Sequence, residues 1–384
     1  MAKKKGSKKD GSQSAENETG RCDILAKDVQ PTKGLSGDNT IKLRGLGEYS
    51  IAVKPVKEAE LIKSQQEDPL AIIQGLHPGV NVPPHISLKG ETLSGLDLER
   101  VRFHQNRLNG CDFRKACLRG AGFKRCDLSG ADFRGADLRD CIFQGCNMEG
   151  ADMRGCRLED IRVVDCNLFA ANFDNSCLDN AVIDSCTMGA QSFHNSSCLG
   201  VRLYNSHVIH GFFDDCDLSG AELRNMVFRN CTLSNTHFDN ALMDECQFRG
   251  CDSFQDGPVF SGGSLNNVVM MDCSFHVPKL VGTRISNSVM TRVDLESALL
   301  EGTSFNKVVF ENGSLVDCYS LEQGPSFNHC RLDHLTIDQA ELSNARFDQS
   351  FFVGALIRDS DFNAWTMNHT GLDAETSIEW PDPG

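Results

Sequence analysis

The sequence contains few of the side chains on which sugars and nucleic-acid bases stack. Of its 384 residues, only 2 are Trp and 3 are Tyr, against 23 Phe. Basic residues are also outnumbered, because 38 Lys and Arg face 53 Asp and Glu and leave a formal net charge of −15. A general nucleic-acid binder needs a basic surface that displaces phosphate counterions. We therefore expect no direct binding to nucleic acid.

Long apolar runs are absent as well. No stretch of 18 apolar residues occurs, so we expect no helix that inserts into a membrane. The basic residues near the start are followed by Ser, Gln, Asn and Gly and not by an apolar segment. We therefore expect no cleavable signal peptide. Together these absences predict a cytoplasmic protein.

A strict five-residue period dominates the middle of the chain. From Leu98 to Phe248, all 31 positions spaced five residues apart are apolar, and 23 of them are Leu or Phe. On a helix such positions drift around the axis, and on a straight strand they alternate between the two faces. The period keeps these side chains on the inside only if the chain turns a corner every five residues.

The residues around these apolar positions indicate a tight interior and regular turns. Two residues before each apolar position, 26 of 31 side chains are small, nine of them Ala and ten Cys. Two residues after it, 23 of 32 positions from Gly95 to Gly250 hold Gly, Asn or Asp, which tolerate the dihedral angles of tight turns. Each unit is thus predicted to hold two inward side chains, two outward ones and a turn.

Similar side chains also recur every 20 residues, which predicts coils with four five-residue sides. Leu, Phe and Cys each fill columns at this spacing, and these columns form the predicted core. Its marker residues are Leu98, Leu118, Leu138, Phe113, Phe133, Phe173, Phe193, Cys126, Cys146, Cys166 and Cys186.

Single units such as Ala131–Gly135 and Ala136–Asp140 resemble the repeats of the pentapeptide-repeat family, whose consensus is Ala-Asp/Asn-Leu-x-x. The resemblance covers roughly residues 86–372. It implies an all-β, right-handed quadrilateral β-helix, and the count of repeats predicts a solenoid of about 14 coils. The handedness follows from the resemblance and not from the spacing.

The chain is expected to contain three further segments. Residues 1–37, rich in Lys and Ser, predict a disordered tail. Residues 38–85 contain a β-like stretch at Tyr49–Val53, a helical one at Val56–Gln65 and several prolines, and we expect a small cap over the first coil. Residues 373–384 are expected to form a C-terminal tail or a lid.

Two similar insertions interrupt the period. Near residues 254–259 and again near 321–326, the step between inward positions is seven residues, and each insertion contains a Gly-Pro pair, Gly257-Pro258 and Gly324-Pro325. Such pairs are typical of turns. Each insertion is either a bulge that redirects the wall or a ligand-contacting corner, since bulges recur beside functional surfaces.

The cysteines and histidines indicate no catalytic, cofactor or metal site. Fourteen of the 18 Cys occupy the small inward position, which is typical of buried apolar filler and not of paired metal ligands. Stacked neighbours such as Cys146 and Cys166 would lie close enough for a disulfide, but a reducing cytosol keeps them as thiols. The histidines, including His207 and His210, fall on outward positions. We expect no enzyme activity and no cofactor.

The charge is distributed unevenly along the chain. Residues 92–165 contain 13 basic and 12 acidic residues, whereas residues 166–384 contain 11 and 29. The later coils therefore form an acidic rod, which is either a solubilising surface or a binding face for a protein partner. Some pentapeptide-repeat proteins imitate DNA on gyrase and confer fluoroquinolone resistance, so the resemblance implies a DNA-mimic scaffold in a bacterial cytoplasm. The alternative is a secreted bacterial effector that acts in a host cell.

Overall fold

The computed structural model describes residues 40–41, 51–52, 69–360 and 365–379. They belong to two units, which divide between Glu58 and Ala59 and thus inside the predicted 38–85 cap. In the first unit, strands Thr40–Ile41 and Ile51–Ala52 pair antiparallel. The described part of the second unit contains a short helix, Pro69–Gln74, and a parallel β-solenoid. The predicted tail at 1–37 and the predicted helix at Val56–Gln65 lie outside the described residues.

The solenoid repeats every 20 residues and has four sides. Four ladders of parallel pairing run along it through Arg102, Arg107, Asp112 and Cys117, and each of these residues pairs with the one 20 positions further on. We call the four sides walls A, B, C and D in that order, and count each turn residue with the wall that it follows.

In the described residues, wall A has 14 strands, one in each coil from Arg102 onward. They are Arg102–His104, Gly122–Lys124, Ile142–Gln144, Arg162–Val164, Val182–Asp184, Arg202–Tyr204, Glu222–Arg224, Leu242–Asp244, Ser264–Asn266, Arg284–Ser286, Ser304–Asn306, Ser326–Asn328, Arg346–Asp348 and Thr366–Asn368. They confirm the prediction of an all-β solenoid with about 14 coils.

The other walls combine strands with single bridges. Two eight-residue strands, Val269–His276 and Val289–Glu296, pass around a corner from wall B to wall C. The remaining strands of wall B are Thr187–Gly189, His207–Ile209, Val227–Arg229, Gln247–Arg249, Val309–Glu311, Arg331–Asp333, Phe351–Val353 and Gly371–Leu372. Wall C adds Ser314–Val316, Thr336–Asp338, Leu356–Arg358 and Ser377–Glu379, and wall D has Tyr319–Ser320 and Glu341–Leu342.

The solenoid extends beyond the range 86–372 at both ends. Asn81 pairs with Arg102, and Val82 is buried as the first core residue of wall A. The prolines that follow Val82 interrupt the five-residue pattern, so the period does not reveal this rung. At the other end, Ser377–Glu379 pairs with Leu356–Arg358, so residues of the predicted tail or lid continue wall C. Residues 380–384 lie outside the described part of the chain.

The turns between walls use left-handed backbone dihedrals. Gly130, Asp140 and Asn175 have φ angles of 62°, 59° and 57°, and most other turn residues fall in the same region. Gly, Asn and Asp adopt this conformation at the lowest cost among the common residues. The preference for these residues at every fifth position therefore follows from the corner itself.

The interior is filled by stacked columns of side chains. All eleven marker residues of the predicted core are inside, none more than 4% exposed. The rings of Phe113 and Phe133 stack with centroids 4.8 Å apart and planes within 3°. The ring of Phe123 meets that of Phe133 edge-on at 6.3 Å. Rings thus stack within one wall and meet edge-on across the interior between walls A and C, and aromatic rings favour both arrangements.

The inward cysteines are free thiols that bond to the backbone of the preceding coil. Cys111 Sγ donates to the Leu88 carbonyl at 2.7 Å, and Cys156 Sγ donates to the Phe133 carbonyl at 2.9 Å. Ser176 occupies the equivalent place with its hydroxyl 2.7 Å from the Met153 carbonyl. Burial raises the pKa of Cys111 and of Cys156 to about 12. These side chains therefore fill space and satisfy carbonyl groups.

Replacing Phe133 with Ala is expected to destabilise the protein by about 3–5 kcal/mol, because the change opens a cavity inside a stacked aromatic column. The control is Arg134→Ala on the outer side of the same five-residue unit, where an exposed ion pair contributes about 0–1 kcal/mol. Denaturant unfolding of both variants measures the difference. Equal losses would contradict the inward and outward assignment.

Thiol labelling tests the cysteine columns. Cys117 lies half-buried on the outer side of wall D, whereas Cys111 and Cys156 are inaccessible and protonated. In the native protein we expect iodoacetamide to modify Cys117 at least about a hundredfold faster than these two, because the thiolate is the reactive form. Peptide mass spectrometry over a time course measures the rates, and the denatured protein serves as control. Similar native rates at all three positions would contradict the packing.

Candidate interaction surface

The acidic side chains of the later coils concentrate on two adjoining walls. From residue 166 to residue 379, the described part of wall C carries eleven acidic side chains and one basic, and wall D carries six and one. Over the same coils, wall A has five of each sign, and wall B has five acidic and four basic side chains. The acidic residues of wall C are Asp174, Asp214, Asp215, Asp252, Asp256, Asp294, Glu296, Asp317, Asp338, Asp359 and Glu379, and those of wall D are Asp179, Asp217, Asp239, Glu301, Glu322 and Glu341.

In the earlier coils, arginines neutralise the carboxylates of wall C. Arg114 Nη2 lies 2.7 Å from Asp112 Oδ2, and Arg134 Nη2 lies 2.6 Å from Asp132 Oδ2. The hydrogen bonds from Arg134 hold the pKa of Asp132 below its usual value. Because Arg134 Nε is also 3.5 Å from Asp152 Oδ2 in the next coil, one column of arginines pairs with one column of aspartates.

The arginine column of wall C ends after Arg154, and an aspartate takes the next place. Asp174 occupies the position 20 residues after Arg154 and is followed in the column by His194 and Asp214. Asp174 accepts hydrogen bonds from the Ser192 hydroxyl and from the backbone N–H of His194. This exchange of basic for acidic residues marks the start of the acidic surface.

The carboxylates of the acidic walls are held in place by the following coil. Asp214 accepts from the Thr232 hydroxyl at 2.6 Å and from the Ser234 N–H at 2.9 Å. Asp179 on wall D accepts in the same way from Ser197 and Leu199. These donors are neutral, so the negative charge remains uncompensated. Burial and the nearby charge of Asp214 raise the pKa of Asp252 above its usual value.

Walls A and B of the later coils carry nearly equal numbers of acidic and basic side chains, and some of these form ion pairs. Arg224 pairs with Glu222 at 2.5 Å on wall A, and Arg292 pairs with Asp272 at 2.6 Å on wall B. On wall C, the described residues of these coils include a single Lys or Arg ion pair, Arg358 with Asp338 at 2.6 Å. The negative electrostatic potential of the later coils is therefore strongest outside walls C and D.

Two corner loops border wall D. The first corner loop, residues 254–258, joins wall C to wall D, and the second, residues 321–325, joins wall D to wall A. Across them, the partner in the ladder lies 22 residues further on, as in the pairs His237–Val259 and Ser304–Ser326. Each loop thus adds two residues to its corner and leaves the stacking of the coils intact.

The glycines of the insertions pack tightly on the coil that follows. A Cβ on Gly257 would lie 2.5 Å from the His276 carbonyl oxygen, and one on Gly324 would overlap the backbone of Ser343 and Asn344. Pro258 and Pro325 are buried behind them. Glycine is required here by close approach of the backbone, and the loops are fixed to the rod.

Backbone groups of the loops also bond to the coil that precedes them. Glu301 accepts hydrogen bonds from the N–H groups of Leu321, Glu322 and Gln323, the shortest at 2.6 Å. In the first loop, the Ser234 hydroxyl accepts from the Phe254 N–H at 3.1 Å. Despite this support, the tip side chains project into solvent: Phe254 is 74% exposed and Leu321 is 70% exposed.

The described residues give no sign of a metal site. Across residues 69–360 and 365–379, no three His, Cys, Asp or Glu side chains are placed to hold an ion together. Three histidines lie beside single carboxylates, with Nδ1 to carboxylate oxygen distances of 3.7 Å for His194, 3.1 Å for His237 and 3.2 Å for His276. No helix in the same part of the chain is long and apolar enough to cross a membrane.

Family models match the central coils. A model described as a pentapeptide repeat region matches residues 116–193. A second model, described as pentapeptide repeats in eight copies, matches residues 92–125, 196–235 and 213–250. Comparison with curated protein sequences finds no match.

Several solved structures resemble this chain at low similarity. HetL, a pentapeptide-repeat protein involved in heterocyst differentiation regulation from the cyanobacterium Nostoc, is 19% identical, with 70% of this chain and 89% of HetL covered and a TM-score of 0.29. QnrB1, a plasmid-mediated fluoroquinolone resistance protein, is 19% identical, with 59% and 92% covered and a TM-score of 0.23. The A-module of the mannuronan C-5 epimerase AlgE6 from Azotobacter vinelandii is 13% identical, with 84% and 97% covered and a TM-score of 0.36.

These TM-scores are too low to transfer any function. The family models and the five-residue geometry agree on the same coils, which have one small and one large inward side chain in each unit and a turn at every fifth residue. Residues 92–193 and 196–250 of this chain are therefore pentapeptide repeats.

Proposed function

We propose that this chain is a non-enzymatic scaffold that presents walls C and D, from Asp174 onward, to the basic DNA-binding surface of a protein. The observation that carries the proposal is the concentration of excess negative charge on two adjoining walls, because the later coils carry 17 acidic and two basic side chains on walls C and D but ten and nine on walls A and B. In its sharpest form the rod imitates DNA and competes for the DNA site of an enzyme such as gyrase. This role places the protein in the bacterial cytoplasm, where such enzymes act.

The density of charge supports this role. Seventeen acidic side chains lie on walls C and D between Asp174 and Glu379, over roughly ten coils spaced about 4.8 Å apart. This gives about one carboxylate per 3 Å of rod, whereas duplex DNA carries one phosphate charge per about 1.7 Å. The acidic face thus reaches about half the charge density of a duplex. A protein that docks on one side of DNA meets a comparable field here.

The distribution of charge favours a binding face over a general solubilising surface. Solubility alone does not require the charge to be concentrated on particular walls, because net charge on any side of the molecule keeps molecules apart. In the later coils, walls A and B carry ion pairs such as Arg224–Glu222 and Arg292–Asp272, and walls C and D carry almost none. A one-sided field orients the rod toward a basic partner and speeds their encounter.

Titration into a gyrase supercoiling assay tests this function. We expect the wild-type chain to inhibit supercoiling at micromolar concentration, and the inhibition to weaken with salt because it depends on charge. A variant with four neutralised residues on wall C is expected to be about tenfold or more weaker. The four changes are Asp215→Asn, Glu296→Gln, Asp317→Asn and Asp359→Asn.

A matched variant removes the same charge from wall A. It carries Asp184→Asn, Asp244→Asn, Glu245→Gln and Asp348→Asn, and we expect its inhibition to stay within about twofold of the wild type, because these residues lie away from the acidic walls. Equal weakening in both variants would indicate a general polyanion effect. Absence of any effect of the wild type on gyrase would remove the proposal for this enzyme.

A further inference from the structure

The two corner loops hold apolar side chains in solvent on a rigid support. Phe254 and Leu321 occupy the same place in their loops and are the two most exposed of the large apolar side chains in the described residues. The glycine of each loop packs on the next coil, and the loop N–H groups bond to the preceding one. Their exposure is therefore a property of the folded loops.

Two other exposed aromatic residues, Phe169 and Phe351, have a packing role that Phe254 and Leu321 lack. Phe169 lies across Gly189, where a Cβ would be 2.8 Å from its ring, and Phe351 covers Gly371 in the same way at 2.7 Å. Such rings shield the backbone of a neighbouring strand that has no side chain of its own. Phe254 and Leu321 shield no glycine of this kind. A contact with another molecule would account for them.

Both tips border the same stretch of wall D. The inward positions Phe260 and Ser320 are three coils apart, so the loops are separated by about 14 Å along the rod. Between them, wall D presents Val281, Leu299 and Tyr319 on its outer side. This part of wall D therefore presents three apolar side chains beside Lys279 and Glu301, with an exposed apolar side chain at each of its two corners.

We propose that Phe254 and Leu321 are the two anchors of a protein interface on wall D, each inserting into an apolar pocket of the partner. The inference rests on the proposed function and adds to it the residues that dock. An interface of this kind has a well-packed apolar centre and a polar rim, and a few residues that are buried in pockets of the partner provide most of its binding energy.

The charges around the anchors define the partner. Asp252 and Asp256 flank the first tip, and Glu322 and Glu341 lie near the second. Lys279 is the single basic side chain on this part of wall D. A second copy of this chain would bring like charges together, which costs affinity. The partner is therefore a protein whose surface is basic around two apolar pockets.

The experiment measures the affinity of the full chain for the DNA gyrase holoenzyme at low and at physiological salt. The anchor variant carries Phe254→Ser and Leu321→Ser, and the control variant carries Ile142→Ser and Leu242→Ser, which are exposed apolar residues of wall A. We expect the anchor variant to bind about ten- to a hundredfold more weakly at both salt concentrations. The control is expected to bind like the wild type, and both variants to unfold at the wild-type temperature.

The outcomes separate this inference from the proposed function. If the wild type and the anchor variant bind gyrase equally well, the proposed role of Phe254 and Leu321 is wrong, whereas the proposed function of the acidic walls is retained. If the wild type does not bind, both proposals fall together. If free wild type sediments as a dimer and the anchor variant as a monomer, the tips hold a second copy of the chain, and that result overturns the proposed partner.

Discussion

The structure depends on backbone hydrogen bonds between residues about 20 positions apart. On a typical side of a coil, the N–H of Asp132 donates to the Cys111 carbonyl of the preceding coil, and the N–H of Phe133 donates to the Asp152 carbonyl of the following coil. Each strand is thus bonded on both sides, and only the first and last coils have free edges. This pairing holds only while every corner turns by the same amount, which explains the left-handed residue at each fifth position.

The same constraint divides the side chains into two groups. Inward positions must fill a narrow column, so they hold Leu and Phe at the centre of a side and Ala, Cys or Ser beside it. Outward positions have no such requirement, and their charge is free to vary from coil to coil. On wall C, for example, the column position that holds Arg in the coils up to Arg154 holds Asp174 in the next coil. The fold is the same on both sides of this point, although the electrostatic surface is not.

Much of this architecture was predictable because the five-residue period determines which side chains are buried. A side chain such as Phe133 is recognisable as inward from its spacing alone, and the 20-residue columns indicate four walls. The five-residue period did not predict the first rung, at Asn81, because prolines follow it and because Asn81 lies 21 residues, and not 20, before its partner Arg102. The Gly-Pro pairs predict turns, but the exposure of Phe254 depends on how Ser234 and Gly257 fix the loop to neighbouring coils. The total charge of the later coils was readable from the sequence, whereas its restriction to walls C and D became clear only with the assignment of residues to walls.

The identical stacking of successive coils has a consequence for how such a chain changes over generations. The inward positions of wall D between the corner loops, Phe260 and Ser320, are separated by a whole number of coils. Unequal recombination within the repeats would add or remove one coil, about 4.8 Å of rod, and leave both loops and their orientation unchanged. The spacing between the loops is thus set by the number of repeats, a quantity that gene duplication and deletion alter in single heritable steps.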